Sequence, residues 1–394
     1  MGAVRISGLT KTYGRKRGVT DLSLDIDDGE FFVVLGPSGA GKTTTLKSVA
    51  GLIEVDSGDV TIAGQRMDGV QPYHRNVAMA FESYALYPQK TVSQNLASPL
   101  RSGRTGRYSE ADQKARIEAV TTTLGIDHLL QRFPRELSNG QRQRVALGRV
   151  LVRPADVYLL DEPLSHLDAK LRAAMRAELK QLGTLSGTTA LYVTHDYQEA
   201  LALGHRIAVL REGRLVQVGT PEEVWHSPVD TFVARALGQP EVNLLDAALD
   251  DGHLVAAGGA VRVPLPRGVD LAAGDRARVG IRPRDLEVAH EGSAGAGLPR
   301  GETLHLEGRV RLAERLGRSV ELTVEVAGTE LIVVDDAEHP PSEGSSVRLS
   351  VALQHVHVFG AGAADEDTPN LRPRAPGAPP VLARPATSSA EGAR

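Results

Sequence analysis

Cysteine is absent from all 394 residues. That excludes disulfide frameworks, thiol nucleophiles and Cys-based zinc or iron–sulfur sites, and fits a reducing compartment. Long apolar runs are missing too: no uninterrupted apolar stretch of about 18 residues occurs, and the opening MGAVRISGLTKTYG lacks the apolar core of a secretory signal. The expectation is a soluble protein that reaches a membrane only through a partner. Excess positive charge is lacking as well. Lys plus Arg total 45 against 49 Asp plus Glu, a formal charge of −4, which leaves no basic footprint for nucleic acid and no polybasic membrane anchor. The remainder is ordinary globular usage, 41% hydrophobic and 24% charged, enough for two or three domains at about 100 to 200 residues each.

Along the chain, residues 1–235 alternate strand and helix patterns, the texture of a parallel α/β domain. Glu30-Phe31-Phe32-Val33-Val34-Leu35, Val157-Tyr158-Leu159-Leu160 and Ala190-Leu191-Tyr192-Val193 read as strands buried on both faces. Helices are expected over 43–52, 110–124, 141–152, 169–185 and 197–203, with a helical subdomain at about 85–155. A linker at 236–243 leads to short alternating strands over 244–360, an all-β module such as a small barrel. Residues 361–394, rich in proline and poor in large apolar side chains, read as a mobile tail. The Ala/Gly-rich stretch 291–297 reads as a flexible insertion.

Gly36-Pro37-Ser38-Gly39-Ala40-Gly41-Lys42-Thr43 fits G-x-x-x-x-G-K-[ST] after a buried strand and at a helix start. Such a loop wraps its backbone N–H groups around phosphate oxygens, helped by the helix N-terminus. Lys42 would reach the β- and γ-phosphates and the Thr43 hydroxyl would ligate Mg²⁺. The alternative is a glycine-rich turn with a solvated lysine. Leu159-Leu160-Asp161-Glu162 puts two carboxylates at a strand end, where ligands collect in open α/β sheets: Asp161 suits Mg²⁺ and Glu162 the general base for the attacking water. Taken alone, the pair would be a solvated turn. His195 follows the strand 189–194 at the same edge, aimed at the γ-phosphate position, though a lone histidine is more often structural.

The phosphate loop, Leu137-Ser138-Asn139-Gly140-Gln141, Leu159-Leu160-Asp161-Glu162-Pro163, Ser165-His166-Leu167-Asp168 and His195 stand in the order and spacing of ABC-type ATPases, which the chain resembles. Ser83-Tyr84-Ala85-Leu86-Tyr87-Pro88, Leu167-Asp168-Ala169-Lys170-Leu171-Arg172 and Gly280-Ile281-Arg282-Pro283 resemble the ATPase subunits of carbohydrate importers of the maltose and glycerol-3-phosphate type. The likeness spans about residues 3 to 360. It implies a P-loop ABC ATPase domain with a helical subdomain, followed by an all-β OB-like (TOBE-type) domain.

The resemblance also implies ATP with Mg²⁺, and an ATPase coupled to uptake of a sugar, sugar derivative or glycerol phosphate. Polyamine and metal-ion importers share the same cassette plan, and a non-transport ABC ATPase is the more distant alternative. Tyr13 matches the aromatic that stacks on adenine, and Thr44 follows the loop into the nucleotide site. Ser138, Asn139, Gly140 and Gln141 form the signature that closes over nucleotide on the opposite subunit, and Asp168 lies in the loop that crosses between subunits. The implied partners are a second copy in a two-fold, head-to-tail dimer, two membrane permease subunits at the cytoplasmic face and, indirectly, a solute-binding protein, with no nucleic acid. Segment 82–100 is the expected permease docking surface, or else a core patch of the helical subdomain. Three positions depart from the pattern. Glu82 stands where the family carries a metal-touching Gln, and is expected to remain a Mg²⁺ ligand. Asn139 replaces the commoner Gly of the signature, and Arg284 replaces a Glu in the β module.

Overall fold

The computed structural model describes residues 2–81, 86–101, 108–165, 167–289, 302–336, 339–362 and 366–372, the side chains of 182–186 excepted. Strands β1 (Val4–Tyr13) and β2 (Lys16–Ile26) turn Val4, Ile6, Leu22, Leu24 and Ile26 inward and alternate them with outward polar residues, as a one-sided strand requires. β3 (Phe31–Leu35) is buried at every position. Its continuous apolar run suits a strand covered on both faces. β4 (Ser57–Ile62) and β5 (Gln65–Arg66) join the first two in an antiparallel sheet ordered β2-β1-β4-β5.

The central sheet adds β6 (Val77–Ala80), β7 (Val157–Asp161), β8 (Thr189–Thr194), β9 (Arg206–Arg211) and β10 (Arg214–Gly219), in the order β10-β9-β3-β8-β7-β6. Every pairing is parallel except the β9–β10 edge. The helices are α1 (Lys42–Ala50), α2 (Val92–Ala97), α3 (Glu110–Thr123), α4 (Asn139–Leu151), α5 (Ala169–Ser186) and α6 (Tyr197–Leu203). Phe32 and Val34 of β3 pack with Leu46 and Val49 of α1, Leu159 of β7 and Leu191 of β8 in one buried cluster. Because β3, β8 and β7 are neighbours and parallel, the loops that leave their carboxyl ends emerge side by side. No described helix is long and apolar enough to cross a membrane.

α4 starts at Asn139, two residues before the expected 141. Ser138 Oγ accepts from Gln141 N (3.3 Å) while Gln141 Oε1 accepts from Ser138 N (2.9 Å). This reciprocal capping box draws Asn139 and Gly140 into the first turn.

The chain divides into two compact units between Pro221 and Glu222, earlier than the expected boundary at 235. The reason is Arg282, which is 2% exposed. Its guanidinium donates to the carbonyls of Trp225, Ala234 and Leu237 and lies 3.9 Å from the Trp225 ring centroid. Helices α7 (Pro221–His226) and α8 (Thr231–Ala236) are thereby fastened to the strands that follow.

Those strands are β11 (Asn243–Asp250), β12 (His253–Ala256), β13 (Val261–Pro264), β14 (Arg276–Ile281), β15 (Glu287–Val288), β16 (Thr303–Leu316), β17 (Ser319–Val326), β18 (Thr329–Asp335), β19 (Ser346–Ala352) and β20 (His357–Gly360). They form two five-stranded antiparallel sheets, β13-β12-β11-β14-β20 and β15-β19-β16-β17-β18. Leu245, Val279 and Val358 of the first share a buried core with Leu306, Leu322 and Val333 of the second. The expected insertion at 291–297 lies outside the described residues.

The expected tail from 361 is ordered in part. Thr368 is 2% exposed, its backbone exchanges hydrogen bonds with Thr231, and Leu371 N donates to Val358 O. Residues 366–372 therefore clasp β20 to the α7–α8 loop, because a few anchoring bonds and one apolar side chain offset the ordering cost that proline-rich composition suggests. The other parts of the tail, 363–365 and 373–394, lie outside the described residues.

His357 is 4% exposed in the same unit. Burial, reinforced by the guanidiniums of Arg282 and Arg372 and the neighbouring imidazoles of His226 and His355, pulls its imidazole down from 6.5 to about 3. A histidine with a depressed folded-state value contributes stability above its unfolded value that is lost as pH falls toward the folded one. At pH 5 that loss is about 2 kcal/mol. The second unit is expected to melt at lower temperature at pH 5 than at pH 7, and His357→Asn to flatten that dependence in calorimetry.

Candidate active site

β3 ends at Leu35 and the chain folds through Gly36, Pro37, Ser38, Gly39, Ala40 and Gly41 into α1. Gly41 caps the helix with φ +99°, and a Cβ there would lie 2.5 Å from Gly18 O. Only glycine fits that turn. Pro37 O accepts from Ala40 N at 3.1 Å, which closes the loop on itself. The Lys42 side chain, 6% exposed, curls beneath it: Nζ donates to Gly36 O (2.8 Å) and Pro37 O (3.1 Å).

Thr43 Oγ1 donates to Asp161 Oδ1 across 3.0 Å, and Asp161 is 3% exposed at the end of β7. Glu162 follows with φ +44°, a left-handed conformation that costs a non-glycine residue about 1–3 kcal/mol. The surroundings hold it there, since its N–H donates to Val193 O and its carbonyl accepts from Ser165 N and Oγ. The turn aims the carboxylate back at the loop. Oε1 lies 3.3 Å from Lys42 Nζ, and Oε2 lies 2.7 Å from His195 Nδ1.

Tyr13 ends β1, 46% exposed. A Cβ on Gly18 would meet its ring at 2.9 Å and the Thr44 methyl at 3.0 Å, so Tyr13 lies across Gly18 from the start of α1. Asp56 holds this hairpin by accepting from Thr12 N, Thr12 Oγ1 and Lys11 Nζ. Those bonds, the Thr12 hydroxyl foremost, lower its carboxyl to about 2.

At the sheet edge Thr43 and Asp161 thus form one pair, and Lys42, Glu162 and His195 form a line of polar contacts beside it, with Tyr13 and Thr44 nearby. Ser138, Asn139, Gly140 and Gln141 form the cap and first turn of α4, where Ser138 and Gln141 bond each other. Asp168 caps α5 by accepting from Leu171 N at 2.9 Å. Glu82, with Ser83 and Tyr84, lies outside the described residues. Of the expected docking segment, Tyr87 is 41% exposed, and buried Asn95 fixes its loop by bonding Tyr87, Lys90 and Thr91 backbone atoms.

The donor set fits a nucleoside triphosphate: a helix N-terminus without a side-chain cap or an acidic first-turn residue, preceded by a close-wrapped loop and underlaid by a buried ammonium. Asp161 and Thr43 suit Mg²⁺, which uses one or two carboxylates and leaves its other positions to water and phosphate. No cluster of three or more metal-ligating side chains occurs among the described residues.

Sequence reasoning missed Gln143, Arg172, Asp196 and Glu199. Gln143, 5% exposed on α4, donates from Nε2 to Pro163 O next to Glu162. Asp196-Tyr197-Gln198-Glu199 carries a helix-start signature, which would have foretold the Asp196 cap but puts Glu199 on the surface. Glu199 is instead 3% exposed.

A parallel sheet whose adjacent strand ends supply a phosphate loop, a paired Asp-Glu and a histidine defines a P-loop nucleotide hydrolase. The ABC transporter family matches residues 19–165, and the TOBE domain family matches residues 279–359. The trehalose/maltose import ATP-binding protein MalK of Thermococcus litoralis is 42% identical, over 91% of this chain and 98% of that protein. The sn-glycerol-3-phosphate import ATP-binding protein UgpC of Chromobacterium violaceum is 40% identical over 92% and 95%. The xylose/arabinose import ATP-binding protein XacJ of Haloferax volcanii is 41% identical over 92% and 94%. Among solved structures, the dimeric bacterial ABC transporter cassette MJ0796 superposes with a TM-score of 0.52 at 27% identity, covering 55% of this chain and 98% of that one. The chain belongs to the ABC transporter family, among the ATP-binding subunits of importers. It binds ATP, and it is an ATPase coupled to transport.

Proposed function

We propose that the chain hydrolyses Mg²⁺-bound ATP to drive uptake of a sugar, sugar derivative or glycerol phosphate, as one of two identical copies held by two permease subunits at the cytoplasmic face of a membrane. The observation that carries the chemistry is the Glu162 carboxylate between Lys42 Nζ at 3.3 Å and His195 Nδ1 at 2.7 Å. Lys42 is placed to donate to the β- and γ-phosphate oxygens, and Thr43 and Asp161 would hold Mg²⁺, which would supply neutralisation of phosphate charge. Glu162 takes a proton from the attacking water, while His195 holds the outer carboxylate oxygen in place. The loop amides of Gly36 to Thr43, with Thr44 behind them, receive the phosphates. Tyr13 stacks on the adenine for about 1–3 kcal/mol.

Ser138 to Gln141 and Asp168 serve the nucleotide of the second copy. The dimeric state named for the MJ0796 cassette supports this division. The imported solute is read from relatives named for glycerol phosphate, trehalose/maltose and xylose/arabinose, with a solute-binding protein feeding the permease. The test is phosphate release by the full-length chain in proteoliposomes containing its permease. Turnover is expected to exceed that of the chain without permease, to rise further when loaded binding protein is added, and to vanish with a divalent-metal chelator. Turnover indifferent to all three overturns the proposal.

A further inference from the structure

Glu199 is a carboxylate 3% exposed, in the first turn of α6, that the chemistry above does not use. Its Oε2 accepts from two hydroxyls, Tyr192 Oη at 2.8 Å and Thr194 Oγ1 at 2.7 Å. The Thr194 hydroxyl in turn accepts from Asp196 N at 3.0 Å. His195 lies between these two residues, with its ring 56% exposed. The bond chain Glu199 to Thr194 Oγ1 to Asp196 N therefore spans the backbone on both sides of His195. Asp196 is fixed from its other end: Oδ1 accepts from Gln198 N, and Oδ2 faces Arg172, which also donates to Leu167 O. A small cavity lined by Glu162, Ser165, Arg172, His195 and Glu199 adjoins this frame.

We infer that Glu199 is a positioning residue for hydrolysis, a buried post that sets the turn carrying His195 and so keeps the imidazole against Glu162. The inference rests on the proposed roles of Glu162 and His195. Burial pushes the Glu199 carboxyl upward, against the two hydroxyl bonds that favour its charged form. A carboxylate kept in such a place does something an apolar residue would not. Tyr192 supplies the internal comparison, because it shares Glu199 but has no bond to the His195 turn.

The test measures kcat and KM for ATP, with melting temperature, on full-length variants. Glu199→Leu fills the space without accepting a bond, and is expected to lower kcat roughly 10- to 100-fold, the scale of a small misplacement at a reacting centre, with KM unchanged. Glu199→Gln keeps an acceptor oxygen and is expected to restore kcat to within a few-fold. Thr194→Val should reproduce the loss and Thr194→Ser should not, which reads the same link if the leucine variant fails to fold. Tyr192→Phe should leave kcat unchanged. Wild-type kcat in both Glu199→Leu and Thr194→Val overturns the inference, as does an equal loss in Tyr192→Phe and Thr194→Val. Glu162→Gln, measured in parallel, separates the two claims: if it turns over normally, the assignment of Glu162 fails, whatever Glu199 does.

Discussion

Replacing Glu162 with Gln is expected to lower ATP turnover by about 10²- to 10⁴-fold, the range a positioned general base supplies, while leaving nucleotide binding in place. Gln has the same shape and tolerates the left-handed turn at this position no worse than Glu does. The hydrogen bonds that hold the turn involve its backbone and Ser165, so the fold survives the change. What is lost is the acceptor for the water's proton, together with the charge that faces Lys42 Nζ at 3.3 Å. With that charge gone, Lys42 keeps its bonds to Gly36 O and Pro37 O, and the phosphate site keeps its cation. Phosphate release and binding of a fluorescent ATP analogue, measured on the same preparation, separate the two effects. Hydrolysis at the unsubstituted rate would remove Glu162 from the base role.

The second large effect is on stability. Arg282→Ala strips three backbone carbonyls of their donor, two of them at the C-terminal end of α8, where the last acceptors of a helix have no partner within it. Leaving such groups unpaired costs about 1–3 kcal/mol each, and the cation–π contact with Trp225 is lost as well. Even with partial rescue by water the total is roughly 3 kcal/mol or more, which lowers the melting midpoint of a unit this size by about 6–12 °C. Calorimetry should show the loss in the transition of the second unit, with ATP binding by the first unit retained below that temperature. An unshifted transition would show that these carbonyls are satisfied by other means.

Legibility in the sequence followed the range over which the physics acts. The phosphate loop was readable because loop, lysine and hydroxyl are consecutive and their spacing is fixed by backbone wrapping. The sheet-edge placement of Asp161, Glu162 and His195 was readable because an apolar run ending in a polar residue marks the carboxyl edge of a parallel strand. Glu199 was hidden because a helix-start Asp-x-x-Glu has the same letters whether the glutamate faces water or the core, and the choice is made by Tyr192 and Thr194 on β8. The boundary at Pro221 was hidden for a similar reason: it depends on Arg282 reaching Trp225 across a separation of 57 residues. Thr368 and Leu371 were lost in the proline-rich composition of their neighbourhood, which describes an average and not the two side chains that anchor the clasp.

The clasp has a consequence for the order in which the molecule is made. Every strand of the central sheet has left the ribosome once Gly219 has emerged, so the nucleotide-binding half can close while synthesis continues, as domains generally do. The α7–α8 segment comes next but must wait, first for Arg282 to arrive and then for residues 366–372 to lie down against Val229, Thr231 and Val358. A nascent chain halted shortly before Thr368 would therefore carry a closed nucleotide-binding half and an unsealed second unit.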